Sequence, residues 1–82
     1  MTYDEACIKA GIIKAIASPV RLMILDELGR GDRCVCELQP MFKLDQSTLS
    51  RHLSQMKRSG IITERKEGVK VIYHLATPCI LN

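Results

Sequence analysis

The chain has 82 residues, of which 46% are hydrophobic and 26% are charged, and its formal net charge is +3. This length allows a single domain, predicted to span residues 1–82, and the composition excludes a disordered chain and low-complexity segments. Asp4 and Glu5 precede the apolar N-terminal stretch, and Lys9 and Lys14 interrupt it. This pattern argues against a signal peptide and a membrane span and favours a cytoplasmic protein.

The positive charge is concentrated in one segment. Residues 43–70 carry seven basic and three acidic side chains, whereas residues 1–42 carry five basic and six acidic ones. A clustered basic stretch is the electrostatic footprint expected where a protein meets a polyanion. This segment is therefore predicted to bind nucleic acid, with a solvated basic face as the alternative.

A first amphipathic helix is predicted over residues 4–17, because apolar residues recur there at intervals of three and four. Its predicted buried positions are Cys7, Ala10, Ile13 and Ala17. A second helix is predicted from Ser18 as N-cap and Pro19 as first helical residue, ending at Gly29 or Gly31.

The stretch "CVCELQPMF" predicts a short third helix, and Pro40 constrains its start. Proline lacks an N–H and is tolerated only near a helix N-terminus, so the first helical residue is predicted near Cys36 or Glu37. Cys34 and Cys36 would then lie at the fraying start of this helix.

A fourth helix, "QSTLSRHLSQMKRSG", is predicted between the N-cap Asp45 and the terminating Gly60. Its buried stripe is predicted to contain Leu49, Leu53 and Met56. The third and fourth helices are joined by a turn of about three or four residues, which predicts a helix-turn-helix.

The final part, "IITERKEGVKVIYHL", predicts a β-hairpin with a polar turn at Glu67-Gly68. Helices followed by a basic hairpin predict a winged helix-turn-helix, mainly α with a β-hairpin wing. Gln can pair with adenine and Arg with guanine, and Lys or Arg can contact phosphates. The predicted DNA-binding residues are Gln46, Ser47, Thr48, Ser50, Arg51, Lys57, Arg58, Arg65, Lys66 and Lys70.

Residues 18–75 resemble the ArsR/SmtB family of metalloid- and metal-responsive repressors, in its arsenic-type branch. The resemblance is carried by the start of helix two, by "CVCEL", and by "QSTLSRHLSQMKRSGII" over the fourth helix. It implies a cytoplasmic homodimer that binds double-stranded operator DNA and releases it on binding an inducer. No cofactor is required, and As(III) or Sb(III) is the implied inducer.

The two neighbouring thiols are the predicted inducer site. Residues two apart on a helix point about 200° from each other, so Cys34 and Cys36 are predicted to close on one ion only after local unwinding. Soft thiolates favour trivalent arsenic or antimony, whose binding would distort helix three and lower DNA affinity. Cys7 or Cys79 is predicted as a third ligand.

Several alternatives stay open. The thiols could instead sense oxidants or polysulfide, for which Cys7 or Cys79 is predicted as the disulfide partner, or bind soft divalent metals such as Cd²⁺ or Pb²⁺. A sequence-tolerant architectural DNA binder is a further alternative. An enzyme and a structural zinc module are disfavoured, because no nucleophile-base arrangement and no CxxC pair is present. His52 and His74 are predicted to be polar surface or packing residues, with His52 able to reach a phosphate.

Overall fold

The computed structural model describes residues 1–76, which form four helices and a three-stranded antiparallel sheet. This architecture confirms the predicted winged helix-turn-helix. Within these residues no helix combines the length and apolarity needed to cross a membrane. The elements are α1 (Tyr3–Ile16), α2 (Pro19–Arg30), β1 (Arg33–Cys34), α3 (Val35–Phe42), α4 (Gln46–Ser59), β2 (Ile62–Glu67) and β3 (Lys70–Leu75).

Local capping signals set the ends of α2 and α4 as predicted. The Ser18 side chain accepts a hydrogen bond from the backbone N–H of Arg21, and Pro19 occupies the first turn of α2. The Asp45 carboxylate accepts from the Thr48 N–H at 2.9 Å, and Gly60 ends α4 with a φ of 87°, a left-handed conformation that suits glycine. Both helix starts and the end of α4 are therefore fixed by local sequence.

The hydrophobic core lies on the inner side of α4, which packs there against buried residues of α1, α2, α3 and the sheet. Leu49, Leu53 and Met56 are buried, which confirms the predicted stripe of α4. Apolar burial of this kind is the main favourable contribution to folding, so α4 is held mainly by its inner face. The other buried residues of this cluster are Ile16, Ile24, Leu25, Leu28, Leu38, Ile61, Ile62, Tyr73 and Leu75.

The sheet contains a strand that the sequence did not predict. Strands β2 and β3 form the predicted hairpin, called the wing below, whose turn includes Gly68 at a φ of 64°. The two-residue β1 pairs antiparallel with β3, so that Arg33 lies opposite Tyr73 and Cys34 opposite Ile72. The sheet order is therefore β1-β3-β2.

The predicted buried face of α1 is wrong, although the helix itself is confirmed. Cys7, Ala10 and Ile13 are exposed, and Ala17 lies just beyond the helix end. The helix instead packs through Ile12, Ala15 and Ile16. Apolar residues occur on several sides of α1, since Ile8 and Ile13 are 66% and 58% exposed, and more than one stripe fits a helical period.

The predicted start of α3 is also wrong. The helix begins at Val35, so Pro40 is its sixth residue, and Cys34 is the N-cap in an extended conformation. The Glu37 carboxylate accepts a hydrogen bond from the Cys34 N–H at 3.0 Å and holds this start in place. Because Cys34 is buried and paired with β3, it does not lie at a fraying end.

Candidate DNA interface and thiol site

The outer face of α4 is a row of short polar and basic side chains opposite its buried stripe. Thr48 differs from the other predicted contacts, because it is half-buried and its N–H is bonded to Asp45. The remaining side chains suit hydrogen bonding to base edges or phosphates. The exposed residues of this face are Gln46, Ser47, Ser50, Arg51 and Ser54.

Two of the predicted phosphate-contacting cations are engaged in ion pairs. Lys57 pairs with Glu64 of β2 and thereby ties α4 to the wing. Arg65 pairs with Asp32 at 2.6 Å and with Glu67 at 2.9 Å. Within the described part of the chain, some exposed basic side chains of the segment 43–70 form no ion pair. They include Arg51, Arg58, Lys66 and Lys70.

Asp32 is a charged residue that sequence reasoning missed. Its carboxylate binds both Arg65 and the Nδ1 atom of His74, which lies 2.7 Å away. Hydrogen bonds from His74 and Arg65 lower the pKa of Asp32 below its usual value. No local signal reveals this role, because the partners follow it by 33 and 42 residues.

The two neighbouring thiols converge on one point, which corrects the predicted need for unwinding. The structure joins Cys34 and Cys36 as a disulfide, with 5.2 Å between their Cα atoms. Helical geometry does not separate them because Cys34 is an extended N-cap and only Cys36 lies within the helix. The same observation corrects the prediction that a disulfide requires Cys7 or Cys79.

The pair lies in a cleft of about 420 Å³ between α3, the start of α4 and the wing, called the thiol cleft below. Cys34 is 1% exposed, whereas Cys36 is open to solvent. Gln46, a predicted base contact, and Lys70, a predicted phosphate contact, line the same cleft. Its lining residues are Cys34, Val35, Cys36, Gln39, Gln46, Val69, Lys70 and Val71.

Within residues 1–76, the structure brings no third ligand to the pair. Cys7 is exposed on α1 and lines a different groove, between α1 and α4. Cys79 lies outside the described residues. Across residues 1–76, no cluster of three His, Cys, Asp or Glu side chains is arranged to hold a metal ion.

Comparison with protein families gives a match that includes the whole helix-turn-helix. Residues 18–64 match the family model described as "Bacterial regulatory protein, arsR family". The chain is 39% identical over 75 residues to the arsenical resistance operon repressor of Staphylococcus xylosus. That alignment covers 92% of this chain and 69% of the relative.

Solved structures share the same architecture. HlyU from Vibrio cholerae superposes with a TM-score of 0.89 at 33% identity, covering 96% of this chain and 86% of that one. Mb0332 from Mycobacterium bovis, described as a homodimeric winged helix-turn-helix DNA-binding domain, gives a TM-score of 0.85 at 29% identity. This match covers 98% of this chain and 77% of the neighbour.

Proposed function

The chain belongs to the arsR family of bacterial regulatory proteins, and we propose that it is a transcriptional repressor that releases operator DNA when arsenite or antimonite binds Cys34 and Cys36. The family consists of DNA-binding transcriptional regulators rather than enzymes. The observation that carries the proposal is the thiol cleft, because it places two converging sulfurs beside the N-terminus of α4 and the wing.

The donor set fits a soft trivalent ion. In the reduced protein, Cys34 and Cys36 supply two sulfurs that need no rearrangement of α3 to meet. Thiolates are the ligands that soft centres prefer, and arsenite and antimonite form stable bonds to them. A third sulfur from Cys79 or from Cys7 of a second subunit stays a prediction.

The position of the bound inducer is proposed to cause the release of operator DNA. An ion and its remaining ligand would occupy the thiol cleft, which Gln46 and Lys70 also line. Filling the cleft would separate the start of α4 from the wing, so that both no longer fit one duplex. To change the ratio of DNA-binding to released protein from 99:1 to 1:99, the inducer must favour the released state by about 5.5 kcal/mol. Two or three metalloid–sulfur bonds can supply this free energy.

A homodimer is proposed as the DNA-binding form. The homodimeric description of the M. bovis neighbour supports it, as does the short chain, which benefits from additional buried surface. Tyr3, Ile8 and Ile13 are exposed apolar residues on different sides of α1, and a second copy that packs against this helix would cover part of their area.

Oxidation of the same pair is a second candidate signal, favoured by the Cys34–Cys36 disulfide. Two thiols would give two electrons and two protons to hydrogen peroxide, forming one disulfide and two molecules of water. The disulfide would then deny both sulfurs to arsenite, so the two signals would be mutually exclusive.

A parallel titration tests the proposed signal. The probe is an inverted-repeat duplex that the reduced protein selects from randomised DNA, and its gel shift is followed with arsenite, antimonite, cadmium, zinc or peroxide. Release at the lowest concentrations by arsenite and antimonite is the expected result. Release by peroxide alone would support the redox candidate, and a complex that persists with every addition would refute both.

The wing is expected to contact DNA phosphates through its unpaired lysines. Lys66→Gln removes one exposed cation, so the slope of log K against log salt concentration should become shallower by about 0.9 for one lost phosphate contact. The measurement is the duplex Kd between about 50 and 200 mM salt. Lys9→Gln on α1 is the matched control with an unchanged slope, and an equal slope in both variants would contradict the assignment.

A further inference from the structure

The guanidinium group of Arg21 joins three helices. Its Nε atom donates to Nδ1 of His52 at 2.9 Å, and one terminal nitrogen donates to the Ala15 carbonyl at 2.9 Å. The other terminal nitrogen donates to Oε1 of Gln55. Arg21 lies on α2, Ala15 on α1, and His52 and Gln55 on α4, so a single planar group connects all three.

His52 and Gln55 are three residues apart and therefore share one side of α4. Both are half-buried and lie between the inner stripe that includes Leu53 and the outer face that includes Arg51. The packed stripe sets which side of α4 faces the core, and finer control of the rotation of α4 about its axis needs a restraint with a preferred direction. Directional hydrogen bonds from Arg21 supply that restraint.

The contact specifies the protonation state of His52. Arginine has donors and no acceptor, and it keeps its proton at all ordinary pH values, so Nδ1 of His52 must offer a lone pair. His52 is therefore neutral, with its proton on Nε2. Burial, followed by the neighbouring charges of Arg21 and Arg51, lowers the pKa of His52 below its ordinary 6.5.

The two charged groups that act on His52 are cations, and two further cations line the adjoining groove. Arg21 faces it from α2 and Arg51 from its own helix. The adjoining groove between α1 and α4 adds Lys14 and Arg58. A proton on His52 would thus remove the bond from Arg21 and add a cation to a cationic neighbourhood.

We propose that Arg21 is a positioning residue for DNA recognition, which sets the orientation of α4 through neutral His52 and Gln55. Base-edge contacts require side chains to be held within about 0.5 Å of productive geometry, so loss of this restraint weakens operator binding without removing any DNA contact. This role is independent of the identity of the inducer.

The first test replaces the guanidinium group by a point charge. Arg21→Lys keeps the positive charge and loses the planar fork that reaches three acceptors. We expect about tenfold weaker binding of the selected inverted-repeat duplex, with the salt slope unchanged. Urea unfolding of the same sample must show that the variant is folded under the binding conditions. A folded variant with wild-type affinity, or one with a shallower salt slope, would overturn the proposal.

The second test measures duplex affinity as a function of pH. The direction of the change distinguishes a positioning role of His52 from a phosphate contact. Protonation of His52 breaks the bond from Arg21, so duplex affinity should fall as the pH is lowered through the pKa of His52, which burial and neighbouring cations hold below its ordinary value, since neutral His52 is the binding-competent form. If His52 instead contacted a phosphate, affinity would rise over the same range and the salt slope would steepen.

Two histidine variants identify the group that causes the pH dependence of duplex affinity. His52→Gln keeps a hydrogen-bond acceptor and does not titrate, so the fall of affinity with pH should disappear. His74→Gln changes a wing residue that bonds Asp32, and the fall should persist. A fall that survives in His52→Gln, or affinity that rises at low pH in the wild-type protein, would refute the role of His52.

Discussion

Replacing both Cys34 and Cys36 with serine is expected to preserve operator binding and to abolish release by arsenite. Cys34 is the N-cap of α3, and serine is among the preferred N-cap residues, so the helix start should survive the substitution. The hydroxyl groups bind arsenite far more weakly than soft thiolates do. The preference of arsenite for the released state over the DNA-bound state, of the order of 10⁴-fold, should therefore be lost.

Gel shift of the selected duplex with rising arsenite measures this effect, with both proteins fully reduced. Cys7→Ser is the matched control, because it removes an exposed thiol that lines a different groove, and it should retain release. Arsenite-dependent release by the double variant would show that the inducer binds elsewhere.

Leu53→Ala is expected to cause the largest loss of stability. Leu53 is 1% exposed and anchors α4 within the core, so truncation removes buried methyl groups and leaves a cavity. Such substitutions cost about 2–5 kcal/mol, which is a large part of the roughly 4–12 kcal/mol expected for a domain of this size. Urea unfolding should show a lower midpoint with a similar slope.

Leu22→Ala makes the same chemical change at a site that is 46% exposed on α2. It should alter the free energy of unfolding by no more than about 0.5 kcal/mol. Equal losses in the two variants would mean that Leu53 is not part of the stabilising core.

Local signals in the sequence were sufficient to predict α2, α4 and the wing. The N-caps Ser18 and Asp45, the terminating Gly60 and the turn glycine Gly68 each act on their immediate neighbours, so they can be read without the fold. The family match covers α2 and α4 and ends within β2, the first strand of the wing.

Features that depend on distant partners could not be predicted. Strand β1 is two residues long and exists because β3 pairs with it, and Arg21 reaches His52 across 31 positions. The geometry of the thiols depended on whether α3 begins one residue earlier or later, which is finer than sequence patterns resolve. The wrong face of α1 reflects an apolar helix whose packing is set by its neighbours.

The short strand β1 also has a consequence for aggregation. It covers the backbone of β3 at Ile72 and Tyr73, on the side that β2 does not reach. Without it, that stretch would present unpaired amide and carbonyl groups as an open sheet edge, which is a template for pairing with other chains. Keeping Arg33 and Cys34 in place therefore protects the protein from edge-to-edge association, in addition to supplying one of the sulfurs.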